Sequence, residues 1–144
     1  MSEETLRQKQ SRFARQLPRL LDHAGSLGYE VTLGECYRSD EQAEINALGH
    51  DGRQAIASLV ERQFPLLATK LRNNGRFANG IRGSLHTARL AIDLQLFDQE
   101  GRWLTDDYPY RQLGEYWEGL APDHRWGGRF GDPPHYSIEH EGRR

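Results

Sequence analysis

Apolar residues recur at helical spacing near the start of the chain. Leu6, Phe13, Leu17, Leu20, Leu21 and Ala24 fall on one stripe, which predicts an amphipathic helix with Ser2 as its cap. Pro18 lies inside that stripe and is expected to kink or break the helix. Glu30 to Cys36 reads as a short strand with Val31 and Leu33 on one face. Ser39 followed by Gln42 has the pattern of a capping box, opening a helix that ends near Gly49. A longer helical stretch places Ile56, Leu59, Val60, Phe64, Leu67 and Leu71 on one face, with Pro65 bending or dividing it, and Asn73-Asn74-Gly75 reads as a turn. Ala91 to Phe97 is the strongest strand signal, closed by the polar turn Asp98-Gln99-Glu100-Gly101. Tyr110, Leu113, Trp117 and Leu120 share a helical face, and Tyr136 to His140 reads as a last strand. Helices first and strands later, without βαβ alternation, predict an α+β fold with a small antiparallel sheet and flanking helices.

Composition narrows this picture. A chain of 144 residues suits one domain over 1–144, with enough material for a core that needs no staples. Only 36% of residues are hydrophobic and 28% are charged, yet 10% are aromatic, which excludes the profile of a disordered chain. The formal charge of -2 gives no overall attraction to nucleic acid or anionic lipid, and a monomer is expected. Cys36 is the single cysteine, so neither an internal disulfide nor a thiolate-rich zinc knuckle can form; it reads as a small buried residue. No apolar run reaches the length of a bilayer span, and the N-terminus lacks the apolar core of a signal peptide. The expectation is a chain made in the cytoplasm and not inserted in a membrane.

Three segments carry chemistry: Ser84-Leu85-His86, Ala91-Ile92-Asp93, and Trp126 through His135. In the strand, Ile92, Leu94 and Leu96 fall on one side while Ala91, Asp93 and Gln95 fall on the other. A carboxylate in so apolar a strand needs a partner or a metal. His86 precedes Asp93 by seven residues, which a straight strand would stretch to roughly 23 Å. Both can therefore meet one ion only if the chain reverses between Thr87 and Leu90. Two prolines between Asp132 and His135 favour polyproline geometry with a three-residue repeat, which points both side chains the same way. Gly127, Gly128 and Gly131 let the backbone pass close to a site. Two histidines, a carboxylate and a free fourth position make the usual catalytic zinc site, in which a nearby carboxylate takes a proton during attack by water.

The patterns Ser84-x-His86-x6-Asp93 and Trp126-Gly-Gly-x-Phe130-x-Asp132-x-x-His135 resemble the family of zinc D-Ala-D-Ala carboxypeptidases and L-alanyl-D-glutamate endopeptidases. The stretches Tyr37-Arg38-Ser39-x-x-Gln42 and Leu90 to Leu94 fit its short phage endolysin branch, and the likeness runs from about Glu30 to His140. The resemblance implies a hedgehog-like or D-Ala-D-Ala-peptidase-like fold, with Zn2+ held by His86, Asp93 and His135. It gives Asp132 the part of general base and then acid, Arg38 that of stabilising the anionic intermediate or holding a substrate carboxylate, and Ser84 a supporting hydroxyl. Many members carry glycine where this chain has Arg89. The implied function is hydrolysis of the L-Ala–D-Glu bond in peptidoglycan stem peptides, after holin-type release to the cell wall. The alternatives are a D,D-carboxypeptidase or cross-link cleaver, and a wall-binding module that keeps zinc without turnover. His23, His50, His124 and His140 read as surface or packing histidines, and Trp126 and Phe130 as packing. Glu139 shares the strand face of His135 and could support it, but a solvated glutamate is the default reading.

Overall fold

The structure, a computed structural model, describes residues 3–73 and 84–144. Ser2 and the turn expected at Asn74-Gly75 lie outside them. The first helix, α1 (Leu6–Ser26), is capped by Thr5, whose hydroxyl accepts from the Gln8 amide while the Gln8 side chain returns a bond to the Thr5 amide. It runs unbroken through Pro18, against expectation. Its buried stripe of Phe13, Leu20 and Ala24 is packed into the main core on both sides of the proline, and tertiary contact outweighs the one missing amide donor.

The sheet is antiparallel, with order β1-β2-β4-β3, formed by β1 (Glu30–Leu33), β2 (Ala91–Phe97), β3 (His124–Trp126) and β4 (His135–Ile138). The α+β expectation holds. Strand β1 is shorter than expected, but Gly34 and Glu35 continue alongside β2: the Gly34 amide donates to the Asp93 carbonyl and the Asp93 amide to the Glu35 carbonyl. Strand β4 starts one residue earlier and stops at Ile138, while His140 pairs with Arg143 instead.

Along β2 the side chains of Ile92, Leu94 and Leu96 are fully buried while Asp93 and Gln95 are half-buried, as the period of two requires. The buried face packs on α5 (Asp107–Leu120), which contributes Tyr110, Leu113 and Trp117. The polar tips of these aromatics are satisfied: Trp117 Nε1 donates to the Ser137 carbonyl at 2.9 Å and the Tyr136 hydroxyl to the Tyr110 carbonyl at 3.1 Å. Helix α5 thereby clamps β4 from behind and leaves the opposite face of the sheet for Asp93 and His135.

Between β1 and β2 lie α2 (Asp40–Ala47), α3 (Gly49–Val60) and α4 (Pro65–Asn73). Ser39 caps α2 through the Gln42 amide, but the Gln42 side chain bonds Asn46, so only half of the box forms. Pro65 divides α3 from α4 by taking the first position of the latter, where no amide donor is needed. The expected apolar face is corrected here. Leu59 is 80% exposed and Ile56, Phe64 and Leu67 are also exposed, because α3 and α4 meet through the small residues Ala57 and Ala68 together with Leu71.

Candidate metal centre

The backbone between His86 and Asp93 makes the reversal that a shared ion demands. Residues 85–89 form a tight turn: the Leu90 amide donates to the Leu85 carbonyl, and Arg89 adopts a left-handed φ of +55°. The Gln10 side chain, reaching from α1, ties the turn down through the Ala88 carbonyl at 2.8 Å. On the far side, Asp93 and His135 stand directly opposite each other in the β2–β4 register. Cross-strand neighbours have their Cβ atoms about 5 Å apart, so register alone brings the carboxylate and the second imidazole together.

Three donor atoms converge. His86 Nε2 lies 3.2 Å from Asp93 Oδ1 and 3.2 Å from His135 Nδ1, and His135 Nδ1 lies 3.3 Å from Asp93 Oδ1. A tetrahedral ion with ligand bonds near 2.0–2.1 Å needs its donors about 3.3–3.4 Å apart, the edge of that tetrahedron. The triangle matches that edge. Asp93 Oδ1 is moreover buried without a well-directed hydrogen bond, although it faces two imidazoles. The other ring nitrogen of His86, Nδ1, lies 3.4 Å from the Cys36 carbonyl, which fixes the proton there and leaves the Nε2 lone pair turned into the triangle. Both rings are almost fully buried. Burial opposes ionisation of Asp93, but the imidazoles of His135 and His86 outweigh it and hold its carboxyl well below the usual range. The residues fit a divalent ion with a nitrogen, nitrogen, oxygen donor set.

Asp132 stands at the mouth of this triangle. Its Oδ2 is 3.9 Å from His135 Nδ1 and its side chain is 54% exposed. The two prolines do not form an open polyproline run, as expected, but a turn in which the His135 amide donates to the Asp132 carbonyl at 3.1 Å. Both geometries put the first and fourth residues on one side, so the juxtaposition survives the change of backbone. Burial by the surrounding protein raises the Asp132 carboxyl above its ordinary value, Asp93 adds to the rise, and His135 opposes it.

Arg38 approaches from the strap after β1, where its amide donates to the His86 carbonyl. Its guanidinium is not free. Glu35 grips it through two bonds, Arg38 Nε to Glu35 Oε1 at 2.9 Å and Nη2 to Oε2, and raises its pKa, with the charges of Asp93 and Asp132 adding. Glu35 had no sequence signal, because its meaning depends on the strap lying along β2. Ser84 is buried and its hydroxyl accepts from the His86 amide at 3.3 Å, as a turn residue and not a nucleophile.

One further expectation is corrected. Cys36 is exposed and not buried, because the strap carries it along the sheet edge with its carbonyl turned to His86; partial desolvation by its neighbours and the nearby Asp93 raise its pKa, the opposite of an activated nucleophile. Glu139 lies beyond the end of β4 and pairs with Arg125 at 2.6 Å, away from His135. Trp126 is packing, as expected, but its Nε1 also donates to the Pro133 carbonyl at 2.8 Å and so holds the Asp132–His135 turn.

This is an α+β chain with a His-Asp-His donor triangle on the open face of its sheet. No protein-family model matches the sequence, and none of the curated proteins matches it. Among solved structures it is similar to a point mutant of the vancomycin-resistance D,D-pentapeptidase VanY from a VanB-type cassette in complex with Zn(II). The identity is 18% and the TM-score 0.47, over 88% of this chain and 70% of that one. It is also similar to VanYB in complex with D-alanine-D-alanine, at 21% identity and a TM-score of 0.45, over 88% of this chain and 69% of that one. No helix of the described residues is long and apolar enough to cross a membrane.

Proposed function

We propose that the chain is a zinc-dependent peptidoglycan peptidase, working as one domain over residues 1–144. The observation that carries this reading is the donor triangle of His86, Asp93 and His135 with the carboxyl of Asp132 beside it. Zinc, when bound, supplies Lewis acidity that makes water nucleophilic near neutral pH. Asp132 Oδ2 accepts the proton of the attacking water and returns it to the leaving amine. Its raised pKa suits a group that must do both. Arg38, held by Glu35, supplies positive charge toward the carbonyl oxygen as that oxygen becomes anionic. Ser84 and the Cys36 carbonyl keep His86 in place.

The substrate reading rests on the motif resemblance. It favours the stem peptide and, within it, the L-Ala–D-Glu bond, in the lysis setting of the short endolysin branch. Mass spectrometry of fragments released from purified peptidoglycan tests it, together with zinc content and chelation. The expected result is about one zinc per chain, loss of activity with a chelator, and peptides with D-Glu at their new amino end. Release of terminal D-Ala would move the bond to the D,D position. Zinc and wall binding without any released fragment would make the chain a binding module, and full activity without metal would sink the proposal.

A further inference from the structure

Arg89 lies in the turn that carries His86, with its amide on the His86 carbonyl, and the mechanism above does not use it. It keeps a left-handed φ of +55°, a conformation that glycine adopts freely and other L residues only at a cost. Its guanidinium carbon lies 4.3 Å from the centroid of the Tyr37 ring, and both residues are exposed. Tyr37 stands between Cys36, whose carbonyl faces His86 Nδ1, and Arg38, whose amide bonds the His86 carbonyl. The Arg89 amide bonds that same carbonyl. The stacked pair therefore sits on the backbone that carries the first histidine. Among the described residues, Arg38 and Arg129 are each tied to a glutamate, Glu35 and Glu118. Arg89 has no carboxylate partner among the described residues, and residues 74–83 contain no Asp or Glu to supply one.

We infer that Arg89, stacked on Tyr37, is a specificity-determining residue that binds a free carboxylate of the substrate. The inference rests on the peptidase reading and deepens it. A guanidinium held over a ring face is restrained while its N–H donors stay available, and an arginine fork takes a carboxylate by two parallel bonds. A pre-fixed fork loses less freedom on binding than a loose arginine would. Glycine at this position would satisfy the backbone and offer no such group. A stem peptide presents two free carboxylates of this kind: the α-carboxyl of a γ-linked D-Glu next to the proposed cut, and the C-terminal D-Ala.

The test is calorimetric binding of synthetic stem pentapeptides to the zinc-loaded protein. One pair differs only in a free or amidated D-Glu α-carboxyl, and a second pair only in a free or amidated C-terminus. The natural protein should bind the free D-Glu acid about fivefold tighter than its amide, the worth of an exposed ion pair, and Arg89→Gln should bring that ratio to about one. If the ratio is lost on the C-terminal pair instead, the same carboxylate site serves the other end of the peptide. Arg89→Gly, which suits the positive φ, repeats the measurement should the glutamine variant fold poorly. No discrimination by the natural protein, an unchanged ratio in the variants, or no binding of any peptide would overturn the inference. Cleavage of the same peptides is followed separately: peptides discriminated but uncut would sink the peptidase reading alone, and peptides cut without discrimination would sink only the role of Arg89.

Discussion

Replacing Gly127 by alanine adds one methyl group at a crowded point of the site. A Cβ built there would lie 2.2 Å from the Asp132 carbonyl oxygen, 2.6 Å from His135 Cβ and 3.1 Å from the His135 carbonyl oxygen. None of these atoms is the free end of a flexible side chain. The Gly127 carbonyl also accepts from the Asp132 amide at 2.8 Å, so the two segments are clipped face to face. Relief needs a separation larger by about 1 Å, because close-packed interiors leave no slack. His135 cannot retreat the other way, since β4 is buried along its whole length and paired on both edges. Overpacking of this kind costs about 1–3 kcal/mol, which corresponds to a melting point lower by about 3–10 °C for a chain of this size. A metal site tolerates ligand displacements of only about 0.2 Å, so zinc affinity should fall by at least 10–100-fold, the order seen when supporting groups are lost. Competition against a chromophoric chelator measures the affinity, and thermal melting of the metal-free protein measures the strain. A variant that melts with the natural protein and binds zinc within about twofold of it would refute the reasoning, since overpacking predicts more. Lower stability with unchanged zinc affinity would show that the strain is taken up away from His135.

Asp132→Asn should keep zinc and lose rate by about 10²–10⁴, the usual worth of a positioned base. Burial raises the Asp132 carboxyl in the metal-free protein and its base form is the ionised one, so activity should fall at acid pH as that carboxyl takes up a proton. A kcat/KM profile of the natural protein with no such acid limb would contradict this. Glu35→Gln should release the guanidinium of Arg38 with zinc content unchanged and kcat/KM lower by about 3–10-fold, since the pair is only partly shielded from water. Kinetics indistinguishable from the natural protein would mean that Arg38 is placed by the strap alone.

The sequence was most legible where a single period governed burial. Strand β2 alternates Ile92, Asp93, Leu94, Gln95 and Leu96 between two environments, and α5 buries Tyr110, Leu113 and Trp117 on a helical stripe. Where burial came from meetings between elements, pattern misled. Ile56, Leu59 and Leu67 of α3 and α4 stay in water because Ala57 and Ala68 let those helices come together, and β3, at three residues, is too short to carry a period. The donor triangle divides the same way. A turn between His86 and Asp93 could be demanded from spacing, but an arginine gives no sign that it will take the left-handed conformation at its corner. The hold of Glu35 on Arg38 was invisible because it exists only once the strap lies along β2. What joins Asp93 to His135 is different again, for it is neither a motif nor a turn but a strand register. A slip of β4 by one residue would set Tyr136 opposite Asp93 and swing His135 onto the core face. The buried tyrosine prevents that slip: Tyr136 is wholly enclosed among the core side chains and bonded to the Tyr110 carbonyl, so the packing that stabilises the fold also sets Asp93 and His135 side by side.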